Sequence, residues 1–120
     1  MLHEMRLRPE EFDNIKYNNK IIEVRLNDKK RRKINVGDKI IFYKVPELNE
    51  TINVKVKNIY KFSTFKDLYS GFPSTYFGYS NLNISDMLNK IYSIYSHKKE
   101  EEEGVLAIMF QIDDEKAFTK

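Results

Sequence analysis

Six residues, Ile21-Ile22-Glu23-Val24-Arg25-Leu26, constrain the chain more than any others. Side chains alternate between the two faces of a β-strand. Ile22, Val24 and Leu26 therefore share one face, which belongs in a core, and Glu23 and Arg25 share the other with Ile21. Register matters, because a one-residue slip would bury both charges and expose the three hydrophobics. In the stated register Glu23 and Arg25 point together into a groove. Lys20 has the opposite parity and must sit at the strand entrance, where a bulge or turn can redirect it. The strand leads into Lys29-Lys30-Arg31-Arg32-Lys33 and then a Gly37-Asp38 turn. Five consecutive cations beside such a strand suggest an anion-facing site, with nucleic acid as the best fit. Two blander readings stand beside this one: a structural ion pair in the groove, and a merely solvated basic loop.

The whole chain has 120 residues and a formal charge of +3. Residues 1–61 carry 15 Lys and Arg against 9 Asp and Glu, whereas residues 62–120 carry 6 against 9. The positive potential thus gathers in the first half, around the strand. The length suits one domain, 1–120, with a modest core. No cysteine is present, which removes disulfides and thiolate metal sites. No apolar run approaches a membrane span and the N-terminus does not read as a signal peptide, so a cytoplasmic protein is expected.

Along the chain, 1–7 reads as a first strand. Pro9 stands where a helix takes its first residue, with Glu10 and Glu11 in the dipole-favoured first turn. Lys39 to Val45 is apolar enough to suggest a strand buried on both faces. Thr51 to Phe62 is a further strand that turns in Ile52, Val54 and Val56 and bulges near Asn58-Ile59-Tyr60. A short helix is expected over 63–68, and 69–80 reads as a Gly/Pro-punctuated aromatic loop. Asn83 and Asp86 make a variant capping box before an amphipathic helix carrying Ile84, Met87, Leu88, Ile91, Tyr92 and Tyr95. Residues 96–103 read as a charged connection, with Glu100 to Glu103 an exposed turn, and 105–112 as a last strand. The order β-α-β-β-β-α-α-β points to an α+β fold, a small mixed β-barrel with helices plugging its ends.

Among the aromatics, Tyr76 and Tyr79 are candidates to stack a base, since each carries a polar tip, whereas Phe77 reads as core. His3 and His97 are isolated and expected at the surface. No metal-ligand spacing, catalytic triad or phosphate loop is present, and no cofactor is expected.

The segment from Asn18 to Asp38 resembles the ASCH domains of the PUA-like superfamily. Those domains show G-x-K-x-x-E-x-R, often followed by D-x-K-R, a hydrophobic residue and G-D. The matching residues are Lys20, Glu23, Arg25, Asp28, Lys30, Arg31, Ile34, Gly37 and Asp38. Asn18 replaces the opening glycine, and Asn tolerates the left-handed conformation next best. The resemblance implies a PUA-like barrel over nearly the whole chain. It also implies an RNA- or nucleotide-binding groove lined by Lys20, Glu23 and Arg25, with Lys30, Arg31 and Arg32 as phosphate contacts. Some small bacterial ASCH proteins deacetylate acetylcytidine with a lysine, a threonine and a glutamate. Lys20 matches that lysine, but Glu23 stands in the threonine position and 80–82 offers no carboxylate. Whether the chain is an enzyme therefore stays open. A hydrolase of RNA or a modified nucleoside, with Lys20 and Glu23 as candidate catalytic residues, is the alternative to a binding domain.

Overall fold

The computed structural model describes residues 1–113. Five strands, β1 (Leu2–Leu7), β2 (Ile22–Leu26), β3 (Lys39–Lys44), β4 (Thr51–Phe62) and β5 (Val105–Ile112), form one sheet in the order β1-β3-β4-β5-β2. The β1/β3 pair is parallel and the others are antiparallel. The sheet curls into a half-barrel. β1 and β2 remain its edges, and the candidate residues Lys20, Glu23 and Arg25 lie at the seam between them.

Two apolar clusters lie on either side of the sheet. Inside the curl, Met5, Leu7, Ile40, Phe42, Val54, Val56, Leu106 and Ile108 pack with Phe12 and Ile15 of helix α1 (Pro9–Tyr17). That helix begins with Pro9 at its first turn and plugs the barrel. Outside, Ile22, Val24, Leu26, Val105 and Ala107 pack under helices α2 (Phe65–Ser70) and α3 (Ile84–Tyr92) through Phe65, Leu68, Met87 and Ile91. The alternation in β2 thus holds: Ile22, Val24 and Leu26 are all buried. Glu23 and Arg25 lie opposite Ile108 and Leu106, on the interior side of the sheet.

Several local expectations need correction. The strand buried on both faces is β5, whose Val105 to Ile108 are all buried, and not β3. β5 is central, with barrel interior on one side and helices on the other, whereas no β3 residue joins the outer cluster and Ile41 and Tyr43 stay half-exposed. The β4 bulge falls between Val56 and Asn58, one residue ahead of its expected place. Helix α2 reaches Ser70, so Tyr69 is helical, and a short 3-10 turn occupies Ser74–Phe77. Residues His97–Glu103 form a helix, α4, capped by Ser96. Within it Glu100 is buried. Its carboxylate accepts the Phe65 backbone N–H at 2.7 Å and the Tyr92 hydroxyl, so it holds α2, α3 and α4 together. Charge pattern alone hid this, because one caged carboxylate looks like its three solvated neighbours. His3 is also not free: Nε2 lies 2.8 Å from Asp38 Oδ2. Burial works against charge on Asp38, yet hydrogen bonds from His3 and the Asn35 N–H hold its carboxyl down to about 2. His97 is exposed as expected and stacks on Tyr92. In the turn before β2 the left-handed residue is Asn19 (φ 59°), one position after the expected Asn18.

Candidate nucleotide-binding groove

Asn19 supplies the redirection that Lys20 needs. Its positive φ ends α1 in a tight turn in which the Lys20 N–H returns to the Asn14 carbonyl at 3.1 Å. Lys20 then lies on the same side as Glu23 and is only 4% exposed. Its Nζ donates to Glu23 Oε1 at 2.8 Å and to Glu11 Oε1 at 2.6 Å. Arg25 Nε donates to the other oxygen of Glu23, Oε2, at 2.8 Å, and its Nη2 reaches the Arg6 carbonyl at 2.9 Å. The Tyr79 hydroxyl donates to Glu11 Oε2 at 3.0 Å. A continuous chain therefore runs Tyr79, Glu11, Lys20, Glu23, Arg25, Arg6 carbonyl. It spans the seam where β1 and β2 fail to pair, and it satisfies an edge-strand carbonyl that would otherwise lack a partner.

Charges alternate along this chain and cancel. Burial alone would raise the Glu23 carboxyl, but Lys20 and Arg25 beside it hold it below its ordinary value. Burial would likewise lower Lys20, and Glu23 and Glu11 reverse that and raise it. Lys20, Glu23 and Arg25 therefore stay ionised at neutral pH.

Gly78 lets the aromatic segment close on this network. It has φ +88°, and a Cβ there would stand 2.8 Å from Asn14 Cβ and 3.1 Å from Lys20 Cβ. Any other residue would push the 3-10 turn outward and carry Tyr79 away from Glu11.

The network forms one wall of a cavity of about 150 Å³. Leu7, Ile22, Phe77, Ile91 and Ile94 add apolar surface, and Tyr69, Tyr79 and Tyr95 add phenols. Tyr69 is 6% exposed, and its hydroxyl has no hydrogen-bond partner among the described residues. Burial, with Glu11 and Glu23 nearby, pushes that phenol far up, so it remains a neutral donor. Planar apolar walls with a few fixed polar atoms suit a flat heterocycle.

Through Arg6 and Arg25 the cavity adjoins a wider one of about 520 Å³, which Lys30 and Arg31 also line. The model for the ASCH domain matches residues 5–113. The chain belongs to the ASCH family. Its fold is similar to that of hypothetical protein PH0355, at 33% identity and a TM-score of 0.83, over 94% of this chain and 100% of the other. Protein PF0455 from Pyrococcus furiosus is similar at 30% identity and a TM-score of 0.72, over 96% of this chain and all of that one. The ASCH protein from Zymomonas mobilis, at 14% identity and a TM-score of 0.57, shares the fold over 90% of this chain and 65% of its own length. No curated protein sequence matches significantly.

The candidate site residues of the motif divide between two places. Lys20, Glu23 and Arg25 meet in the cavity wall, and Lys30 and Arg31 line the outer groove. Arg32 turns away and pairs with Glu103 at 2.8 Å. Of the two stacking candidates, Tyr79 lines the cavity, whereas Tyr76 packs beside Phe72 and contributes its backbone carbonyl to the Ile21 N–H. Phe77 is buried, as its apolar ring suggested. Sequence reasoning missed Glu11, Tyr69 and Tyr95. Glu11 looked like a first-turn acid, and only the fold brings Lys20, nine residues later, against it.

Proposed function

We propose that this ASCH domain acts as a single unit that binds RNA or a modified nucleotide in the groove between β1 and β2. The base enters the inner cavity, and the backbone runs past Lys30 and Arg31. One observation supports this above the rest. A cavity of heterocycle size, walled by tyrosines and a fully paired charge network, opens directly onto a basic surface. The network fixes Arg25 and Lys20 in place before any ligand arrives, which lowers the ordering cost of binding. Phosphate contacts then supply affinity while the cavity reads the base.

The hydrolytic alternative, with Glu23 as general base, has weaker support. A general base works best with a pKa near the working pH, and Glu23 is shifted the other way with both oxygens already occupied.

Salt-dependent binding of short single-stranded RNA tests the proposal. Neutralising Lys30 and Arg31 together should weaken binding across sequences and reduce the slope of log K against log salt by about two. An unchanged slope and affinity would overturn the role given to the outer groove.

A further inference from the structure

Arg31 is in an unusual position for a cation. It is half-buried, its Nε is fully enclosed without a partner, and its guanidinium makes no hydrogen bond or ion pair with any described residue. Arg25 lies on the same cavity, and among the described residues its Nη1 makes no hydrogen bond. Arg6 and Lys30 also line it, and among the described residues their charged groups have no acceptor. The one acid lining it among the described residues, Glu4, accepts the Tyr43 hydroxyl at 3.0 Å. Burial first and the like charge of Arg25 second hold Arg31 below its ordinary guanidinium range, against the weaker pull of Asp28. Enclosed cations without a counter-charge are costly. The inner network, which shares Arg25 with this cavity, shows how fully this fold can neutralise charge where it does so.

We propose that Arg31 and Arg25 form a two-guanidinium clamp for one phosphate group, belonging to the nucleotide whose base occupies the inner cavity. This rests on the nucleotide reading above and narrows it. The ligand is a phosphorylated nucleotide, free or at a chain end, and a bare nucleoside leaves the clamp empty. Paired guanidiniums are suited to phosphate because each offers a planar fork of donors to its oxygens. Arg25 joins the two compartments: Glu23 fixes one edge of its guanidinium, and the other edge faces the phosphate. Glu23 therefore positions the clamp through Arg25.

Binding of the four ribonucleosides, their 5′- and 3′-monophosphates and inorganic phosphate should be measured by calorimetry and thermal shift. The proteins to compare are the unmodified chain, Arg31→Met, Arg31→Lys and, as a remote charge control, Lys57→Met. One monophosphate series should bind roughly ten- to a hundredfold tighter than its nucleosides. Arg31→Met should erase that gain, Arg31→Lys should keep part of it, and Lys57→Met should keep all of it. Without ligand, Arg31→Met should melt at the same or a higher temperature, since it removes a half-buried charge that no described residue pairs. Monophosphates no tighter than nucleosides, or a phosphate gain that survives Arg31→Met, would overturn the clamp. RNA binding that persists in that case would leave the broader reading standing. Conversely, stabilisation by inorganic phosphate that Arg31→Met abolishes, with nothing added by any nucleotide or RNA, would support the clamp and remove the nucleotide.

Discussion

Two groups of charges sit a few residues apart in the sequence and behave oppositely in the fold. In the inner network, Glu11, Lys20, Glu23 and Arg25 each face an opposite charge at 2.6–2.8 Å, and all are largely enclosed. In the basic loop, among the described residues, only the Arg32 side chain meets a carboxylate. The difference shows that density of charge in a sequence marks availability, whereas spaced charges on one strand mark geometry. A run such as Lys29 to Lys33 cannot bury itself, because consecutive cations repel and no single cage can neutralise them. Glu23 and Arg25, two residues apart on one face, can be paired and withdrawn from water. The basic loop gives attraction and the inner network gives shape.

The sharpest way to break this comparison is to remove one member of the paired group. Glu23→Ala leaves Lys20 and Arg25 enclosed with half their compensation lost. Breaking one partner of a buried pair typically costs about 3–5 kcal/mol, a large share of the stability of a small domain. Urea unfolding should show a loss of that order, against little change for neutralised Lys29 and Lys33. The acid limb gives a second reading. The folded Glu23 carboxyl lies below its ordinary 4.5, so its contribution is present above that value and fades as pH falls through the depressed one. Glu23→Ala should flatten that limb. A loss below about 1 kcal/mol would mean the network is as solvated as the loop.

A smaller change tests the network's outer end. Tyr79→Phe deletes the hydroxyl that donates to Glu11 Oε2 and keeps the ring against the cavity. Hydrogen bonds to charged groups contribute about 1.5–3 kcal/mol when enclosed. Glu11 is a quarter exposed (26%), so water replaces part of the bond and the expected loss is nearer 1 kcal/mol. Ligand affinity should fall together with stability if the network shapes the cavity. Stability alone would fall if Tyr79 only fastens the turn.

How far the sequence exposed this arrangement follows from the physics of each residue. The β2 alternation was legible because a period of two permits one sensible register, and it located Glu23 and Arg25 on one face. Lys20 was legible as a residue needing redirection, though the turn that does it sits at Asn19. Glu11 was not legible, since its place in the first turn of α1 already had an adequate electrostatic reason. Tyr69 and Tyr95 were hidden for a related cause. The apolar spacing of 84–95 explains Tyr95 without any site, and Tyr69 read as the start of an aromatic loop rather than the end of α2. Glu100 was masked by its neighbours, because four successive glutamates on one helix face four directions, and only the fold decides which one is caged. The basic loop was legible as charge but not as direction, and the structure turns Arg32 toward Glu103 while Lys30 and Arg31 line the groove.

Arg32 is therefore the weakest test in energy and the most direct one of direction. Its pair with Glu103 is half-exposed, with Arg32 at 50% and Glu103 at 26%. Exposed pairs of this kind contribute about 0–1 kcal/mol and fade with salt. A double-mutant cycle on Arg32→Ala and Glu103→Ala should give a coupling in that range, smaller at high salt. If Arg32 stays on α4 when ligand binds, Arg32→Ala should leave the salt slope of RNA binding where it was, and Glu103→Ala should do the same. Suppose instead that Arg32→Ala lowers the slope by about one and Glu103→Ala tightens binding. The pair would then be a parking place from which Arg32 swings to phosphate. The basic loop would act as one continuous surface, and the contrast between caged and available charge would run between β2 and the whole loop rather than through the middle of it.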